Sequence, residues 1–140
     1  MAAEADSISR SRTLKKRAEK TKAHILIVED SELVTDALRI LFEETGRRVT
    51  VAHSVAQAVS AGVKDPPDLL LLDLTLPDGD GLDVLLKLAK KGVEPKATVA
   101  ITGKDDPESM ARCAAAHVTE VLVKPVPAKE LLSRTKAWLA

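Results

Sequence analysis

Short apolar runs and helix-like stretches alternate along the chain from residue 24 to residue 140. Each apolar run is four or five residues long, the length of a β-strand that is covered on both faces. Between the runs, apolar residues recur every three to four positions, as on the buried face of a helix. The pattern predicts strands at 24–28, 49–52, 68–72, 97–101 and 120–123. It predicts helices near 31–46, 54–63 and 81–91, from about 105 onward, and from 127 to the end.

Local start and stop signals support these helices. Ser31 and Ser54 stand where an N-cap hydroxyl is expected, and Gly46 follows the first helix. Pro107 occupies the first position of the fourth helix, and Pro127 opens the last one. Strands that alternate with helices in this way indicate an α/β fold, a doubly wound parallel sheet with right-handed crossovers and helices on both faces.

The length of 140 residues fits one domain, which we place at 23–140, after a basic tail at 1–22. The tail has seven Lys/Arg against three Asp/Glu, so we expect a solvated and largely disordered arm. We expect a plain linker, and electrostatic docking to an acidic surface or to nucleic acid is the functional alternative that composition does not exclude, so the partner of the tail stays open.

Composition narrows the function classes for the domain. One Phe, one Trp and no Tyr leave an aliphatic core and few rings on which bases stack, so direct nucleic-acid binding by the domain is not expected. The single cysteine, Cys113, excludes an internal disulfide and suits a reducing compartment. No membrane span or signal peptide is predicted, so we expect a cytoplasmic protein.

Acidic residues follow two of the predicted strands. Asp73 comes directly after four leucines, and Glu29 and Asp30 follow the first strand. In a common order of doubly wound sheets, the first and third strands are neighbours, so these three carboxylates would converge at the carboxyl edge. Each pair of like charges 4 Å apart costs about 4 kcal/mol at an effective dielectric near 20. We therefore expect a cation, and oxygen ligands without Cys or His favour Mg²⁺ over zinc.

Two more strand ends carry groups that fit a phosphoryl group. Thr102 follows the fourth strand, and Lys124 follows the fifth. A hydroxyl donor and an ammonium group that face a carboxylate and a divalent cation match the charge of a phosphoryl group in transfer. These residues predict a phosphoryl-transfer site in which Asp73 is the nucleophile and an acyl phosphate is the product.

In these motifs the chain resembles the receiver domains of two-component response regulators, over nearly all of 24–140. The family pattern is an acidic pair, an Asp followed by Pro and Asp-Gly, then a Thr or Ser, then Lys-Pro. The chain supplies these in order, as Glu29-Asp30, Asp73, Pro77, Asp80-Gly81, Thr102 and Lys124-Pro125. The resemblance implies a flavodoxin-like receiver fold with strand order 2-1-3-4-5.

The resemblance also implies roles for single residues. Asp73 would accept a phosphoryl group from a phosphohistidine on a sensor histidine kinase or histidine phosphotransfer protein. Asp30, Asp73 and the Thr75 carbonyl would ligate Mg²⁺, and Glu29 would act through bound water. Lys124 would pair with the phosphoryl oxygens and precede a cis Pro125.

Activation, by the same resemblance, would draw Thr102 inward and shift the face of the fourth helix, fifth strand and fifth helix, which would regulate a downstream protein target. Such a domain is no conventional enzyme, although it catalyses its own phosphorylation and can promote its own dephosphorylation.

Three positions depart from the family pattern. Val121 stands where an aromatic ring usually swings inward on activation, so switching through that ring is not expected. Gly103 replaces a common Ala and should loosen its loop. Lys104 stands near the approach of hydrolytic water, so the lifetime of the phosphorylated form should be altered in a direction that the sequence leaves open.

Two other functions fit parts of the pattern. A non-phosphorylated pseudo-receiver that acts as a protein-binding module would have lost an acid, the Thr or the Lys, and all are present. A haloacid-dehalogenase-like phosphatase would place a second Asp where the chain has Thr75, and its acidic pair would follow the Lys. The chain end favours a single-domain receiver, but a receiver cut from a longer regulator would look similar.

Overall fold

The computed structural model describes residues 22–103 and 107–140. The predicted tail lies outside this range except for Lys22, and Lys104 lies in the second undescribed stretch. Within the described residues, the main sheet has strands β1 (His24–Val28), β2 (Arg48–Ala52), β3 (Leu69–Asp73), β4 (Ala97–Thr102) and β5 (Glu120–Val123). The helices between and after them are α1 (Glu32–Glu44), α2 (Val55–Lys64), α3 (Leu82–Lys90), α4 (Pro107–Ala115) and α5 (Ala128–Leu139).

The sheet is parallel throughout, and its strand order is β2-β1-β3-β4-β5. The doubly wound α/β fold and the order implied by the family resemblance are thereby confirmed. Val28 pairs with Leu72, and Asp73 pairs with Ile101. The carboxyl ends of β1, β3 and β4 therefore lie side by side, where the chain reverses direction across the sheet.

The leucine run of β3 supplies the core on both faces of the sheet. Leu69 and Leu71 pack towards α1 and α5, whereas Leu70 and Leu72 pack towards α2 and α3. None of these four side chains is more than 1% exposed. Because neighbouring strand residues point to opposite faces, only a strand covered on both sides buries four leucines in a row.

The hydroxyl groups predicted as N-caps do cap their helices. The Ser31 Oγ accepts a hydrogen bond from the Val34 N–H at 3.4 Å, and the Ser54 Oγ accepts one from the Gln57 N–H at 3.1 Å. Both bonds satisfy backbone donors that the first turn of a helix leaves without an intrahelical partner.

Between β3 and α3 the chain forms a small antiparallel hairpin, which the sequence predicted only as a turn. Thr75–Leu76 pairs with Gly79–Asp80, and we call residues 75–80 the β3–α3 hairpin. The Gly81 N–H donates to the Leu74 carbonyl at 3.0 Å. A Cβ at Gly81 would lie 2.1 Å from the Asp73 carbonyl oxygen, so only glycine allows this close approach.

The two helices on either side of β5, α4 and α5, differ in how firmly they pack against the sheet. On α5, Trp138 is 8% exposed and its Nε1–H donates to Glu120 Oε2 at 2.8 Å, so it anchors the helix. On α4, which is rich in alanine, Cys113 is the only buried residue. The described part of α4 therefore has little apolar surface holding it to the sheet.

Candidate functional site

Three carboxylates meet at the carboxyl edge of the sheet. One oxygen each from Glu29, Asp30 and Asp73 lies within 4.8 Å of the other two. Glu29 and Asp30 follow β1, and Asp73 is the last residue of the adjacent β3. Asp73 is only 4% exposed, whereas Asp30 is exposed. We call these three residues the acid cluster.

Lys124 reaches the acid cluster from the segment after β5. Its Nζ donates to Asp73 Oδ2 at 2.9 Å and to Glu29 Oε2 at 3.2 Å. Its backbone N–H donates to the Thr102 carbonyl at 2.7 Å, and the peptide bond to Pro125 is cis, as the family resemblance implied. Partial burial acts to lower the pKa of Lys124, but the contacts with Asp73 and Glu29 outweigh it and raise that pKa.

The cluster holds more negative charge than one lysine balances. Burial, followed by hydrogen bonds with Asp73 and Asp30, raises the pKa of Glu29 to about 7. Without a further cation, Glu29 therefore binds a proton well above the pH at which an exposed glutamate loses it. A divalent cation would supply the missing positive charge and allow all three carboxylates to ionise.

The donor set suits Mg²⁺. The cluster offers carboxylate oxygens only, and the described residues bring no Cys or His into it. Mg²⁺ prefers oxygen ligands and keeps several waters, whereas zinc sites are built from thiolates and imidazoles. One face of the cluster is open to solvent through Asp30, which leaves room for water ligands and for a phosphoryl group.

Asp73 is oriented by hydrogen bonds to both carboxylate oxygens. Oδ1 accepts from the Thr75 N–H at 3.0 Å, and Oδ2 accepts from Lys124 Nζ at 2.9 Å. The Thr75 bond ties the carboxylate to the first residue of the β3–α3 hairpin. The hairpin therefore sets the position of the backbone that follows Asp73, including the Thr75 carbonyl that the sequence analysis assigned to the metal.

The remaining predicted positions lie on β4 and β5. Thr102 ends β4, is 5% exposed and pairs with Val123, so it lies at the same edge as Asp73, one strand away. Val121 is half-buried on β5, against the small cluster of Leu82, Ala100 and Cys113. No ring is present there to swing into the site. Lys104 lies outside the described residues.

Sequence reasoning missed the residues that hold the β3–α3 hairpin. The Asp78 carboxylate accepts hydrogen bonds from the Val55 and Ala56 N–H groups of α2. Asp80 accepts from the Leu82 N–H at 2.9 Å and forms an ion pair with Arg112 on α4. These partners are more than 20 residues away along the chain, apart from Leu82, so only the proximity of α2 and α4 reveals them.

An apolar cavity of about 520 Å³ adjoins the acid cluster, and it was also missed. Side chains of α1 and of the segment that leads into α5 line it, together with Glu29, Asp73 and Lys124. On its rim, Leu33 is 85% exposed and Val34 is 44% exposed. The three-to-four spacing of Val34, Leu38 and Leu41 predicts a core-facing stripe, and this prediction is wrong for Val34, because the buried residues of α1 are Thr35, Leu38 and Phe42.

A family model described as the response regulator receiver domain matches residues 25–136. The chain is 32% identical over 118 residues to the uncharacterized transcriptional regulatory protein YkoG of Bacillus subtilis, with 84% of this chain and 51% of that protein covered. The chain thus spans about half the length of the curated relatives it matches.

Solved structures resemble the whole domain. The non-phosphorylated HemR receiver domain of Leptospira biflexa is 29% identical with a TM-score of 0.77, covering 85% of this chain and 95% of that one. A CheY-like receiver domain protein from Methanospirillum hungatei is 27% identical with a TM-score of 0.75, covering 85% and 94%. In the described part of the chain, every helix is too short or too polar to cross a lipid bilayer.

Proposed function

The chain belongs to the response regulator receiver domain family, and from that premise we propose that Asp73 accepts a phosphoryl group in a Mg²⁺-dependent reaction. Receiver domains of response regulators take phosphoryl groups from histidine kinases. The donor here would be a phosphohistidine on a sensor histidine kinase or a histidine phosphotransfer protein. The observation that carries the proposal is the acid cluster with Lys124 bound to Asp73 at 2.9 Å.

The reaction forms one bond and breaks one. An Asp73 carboxylate oxygen attacks the phosphorus, the P–N bond to the donor imidazole breaks, and an acyl phosphate forms. The imidazole nitrogen leaves with the electron pair of the broken bond and takes up a proton. Since transfer of this kind depends mainly on position and charge, the protein has to orient Asp73 and neutralise the phosphoryl oxygens.

The residues around Asp73 divide this work. Asp30, Asp73 and the Thr75 carbonyl would hold Mg²⁺, with Glu29 acting through a bound water. The bound ion would neutralise charge on the phosphoryl oxygens during transfer. Lys124 already contacts Asp73 and would exchange that contact for one with the phosphoryl group. Thr102 would donate a hydrogen bond to the same group.

The apolar cavity beside the cluster supplies a docking place for the donor. A phosphohistidine has to come within bonding distance of a carboxylate that is 4% exposed, so the donor protein must lie against the surrounding surface. Leu33 and Val34 offer apolar area at that point. Exposed apolar side chains next to a reactive group are typical of protein interaction surfaces. We propose that the donor protein binds against α1.

The output would pass through α4, β5 and α5 to a downstream protein target. Phosphorylation would add negative charge near Thr102. The inward movement of Thr102 would then pull on the loop that leads to α4. Val121 has no ring to reorient, and α4 buries only Cys113. We therefore propose that displacement of α4, which would also strain the Arg112–Asp80 ion pair, passes the signal on. We propose that this regulation takes place in the cytoplasm.

The test is the intact mass of the full 140-residue chain after incubation with acetyl phosphate. We expect one added phosphoryl group in the presence of Mg²⁺ and none in the presence of EDTA. Asp73→Asn should show no addition, whereas Asp83→Asn, which alters an exposed acid on α3 outside the cluster, should behave as the parent does. An unmodified parent mass with Mg²⁺ would refute the proposal and favour a binding module. Release of phosphate from esters over many turnovers would favour a phosphatase.

A further inference from the structure

The tip of the β3–α3 hairpin is bound to the start of α2. Asp78 Oδ1 accepts a hydrogen bond from the Val55 N–H at 2.7 Å, and Oδ2 accepts one from the Ala56 N–H at 3.1 Å. Val55 and Ala56 are the first two residues of α2. The same helix has its own N-cap, because the Ser54 Oγ accepts from the Gln57 N–H. Asp78 is thus a second and more distant cap on α2.

These contacts are stronger than ordinary surface hydrogen bonds. Both donors belong to the first turn of a helix, where N–H groups have no intrahelical partner and the helix dipole favours negative charge. Hydrogen bonds from the Val55 and Ala56 N–H groups, in that order, lower the pKa of Asp78. The carboxylate therefore stays ionised at neutral pH and holds both donors with its charged form.

The bound tip is connected rigidly to the acid cluster. Leu76 pairs with Gly79 and Thr75 pairs with Asp80, so the two arms of the hairpin move together. Thr75 also donates its N–H to Asp73 Oδ1. At the base, the Gly81 N–H donates to the Leu74 carbonyl. These four contacts thus connect the hairpin that carries Asp78 to the backbone that follows Asp73.

We propose that Asp78 is a positioning residue for the metal-dependent reaction, because it fixes the hairpin whose Thr75 N–H binds Asp73 Oδ1 and whose Thr75 carbonyl the proposed function assigns to Mg²⁺. This inference rests on the proposed function. Asp78 touches neither phosphorus nor metal and acts through Thr75. Outer residues that orient metal ligands typically change metal affinity about 10- to 100-fold when replaced. Since Asp78 acts on the metal ligand only through the hairpin, we expect a smaller loss of Mg²⁺ affinity, about three- to tenfold.

Replacement of Asp78 also removes a helix cap, so the experiment needs a variant that weakens α2 without touching the hairpin. Ser54→Ala is that control, because it removes the bond to Gln57 and leaves Asp78 bound. Loss of an N-cap costs about 1 kcal/mol of stability. Asp78→Asn is the conservative variant, because its amide oxygen still accepts one of the two hydrogen bonds.

Mg²⁺ affinity is the readout that a purely structural role would not move. The thermal midpoint of each full-length variant is recorded over a series of Mg²⁺ concentrations, and the dissociation constant is taken from the rise of the midpoint. The rate of phosphorylation by acetyl phosphate is measured over the same series. Asp78→Ala should raise the Mg²⁺ concentration for half-maximal rate about three- to tenfold, with the maximal rate nearly kept. Asp78→Asn should show a smaller rise, and Ser54→Ala should show none.

The other outcomes overturn the inference. Equal shifts in Asp78→Ala and Ser54→Ala would mean that stability of α2 is all that matters. An unchanged Mg²⁺ dependence in a folded Asp78→Asn and Asp78→Ala would mean that the hairpin needs no such support. If the parent chain takes up neither Mg²⁺ nor phosphoryl, the proposed function itself is wrong and the inference falls with it. That case differs from the others because only there is the parent inactive.

Discussion

At the amino edge of the sheet, His24 is buried among polar partners, and at the carboxyl edge, Asp73 is buried among charged ones. His24 is 1% exposed, and its Nε2 lies 2.7 Å from Thr50 Oγ1 while its Nδ1 lies 3.3 Å from the Pro66 carbonyl. Because a carbonyl only accepts, Nδ1 is the donor to Pro66, while the Thr50 hydroxyl is the partner of Nε2. Both ring nitrogens therefore have a hydrogen-bond partner.

Charge separates the two edges. At the amino edge, Asp65 is paired with Arg48 at 2.5 Å, and Asp68 accepts a hydrogen bond from the His24 backbone N–H at 2.8 Å, so each of these two carboxylates has its own donor. At the carboxyl edge, three carboxylates share one ammonium, and Glu29 responds with a raised pKa. Polar residues at the end of a strand are therefore a poor sign of function on their own. An excess of negative over positive groups at one site is the better indication of function, because an unbalanced charge destabilises the fold and selection for folding alone would not keep it.

We expect the largest effect on phosphorylation from Lys124→Met at the carboxyl edge. This variant removes the ammonium group and keeps most of the apolar part of the side chain. We expect the rate of phosphorylation by acetyl phosphate to fall about 100-fold, as for the loss of one preorganised donor to a transferring group. In saturating Mg²⁺ the free energy of unfolding should change little, because the Lys124 side chain is 42% exposed and the bound ion would neutralise Asp73 in its place. Quench-flow or mass kinetics and urea unfolding measure the two quantities. A fall of less than threefold would contradict the role of Lys124.

His24→Ala should have the opposite profile. The imidazole is buried, and its loss leaves a cavity and an unpaired Thr50 hydroxyl, so we expect the free energy of unfolding to fall by about 2–3 kcal/mol. Phosphorylation at a temperature where the variant is folded should proceed at the parent rate. A slower rate in the fully folded variant would show that the amino edge also serves the reaction.

In the absence of metal, the excess of negative charge in the acid cluster should make the free energy of unfolding depend on pH. The folded pKa of Glu29, about 7, lies above its ordinary value of 4.5, so the folded state holds a proton that the unfolded chain releases. That contribution is complete below pH 4.5 and is lost as the pH rises through about 7. Between pH 4.5 and 8 in EDTA, the parent should lose on the order of 2 kcal/mol relative to Glu29→Gln. Urea unfolding of both proteins over this range gives the difference, and parallel curves would contradict the raised pKa.

Thr50→Val should give the smallest effect. It keeps the shape of the side chain but leaves His24 Nε2 without its hydrogen bond, at a cost of about 1 kcal/mol. In the double variant with His24→Ala, the two losses should not add, because both remove the same interaction. Full additivity in urea unfolding would show that the two side chains are energetically independent.

Much of the fold followed from local pattern. The five strands, the caps at Ser31 and Ser54, and the leucine run of β3 were predicted because each depends on neighbours within four residues. The family was predicted from the order of its motifs, and the family match confirms it. The strand order came with the family resemblance, since periodicity carries no information on which strands are adjacent.

The contacts that fix the geometry of the site could not be predicted from the sequence. Nothing in the sequence singled out Asp78, yet it caps a helix that begins 23 positions earlier. Gly81 was predicted only as part of the Asp80-Gly81 motif, and the structure shows that glycine is required there because the Asp73 carbonyl lies close by. The cavity beside α1 forms only when that helix meets the segment after β5.

The residue pattern alone was enough to predict the helices and strands, the acids at the strand ends and their excess over the positive groups beside them. The packing of distant elements was needed to show that Lys124 reaches Asp73, that the β3–α3 hairpin is bound to α2, and that the two edges differ in charge balance. Helix and strand propensities act over a few residues, whereas hydrogen bonds and ion pairs between distant residues depend on how packed elements bring their ends together.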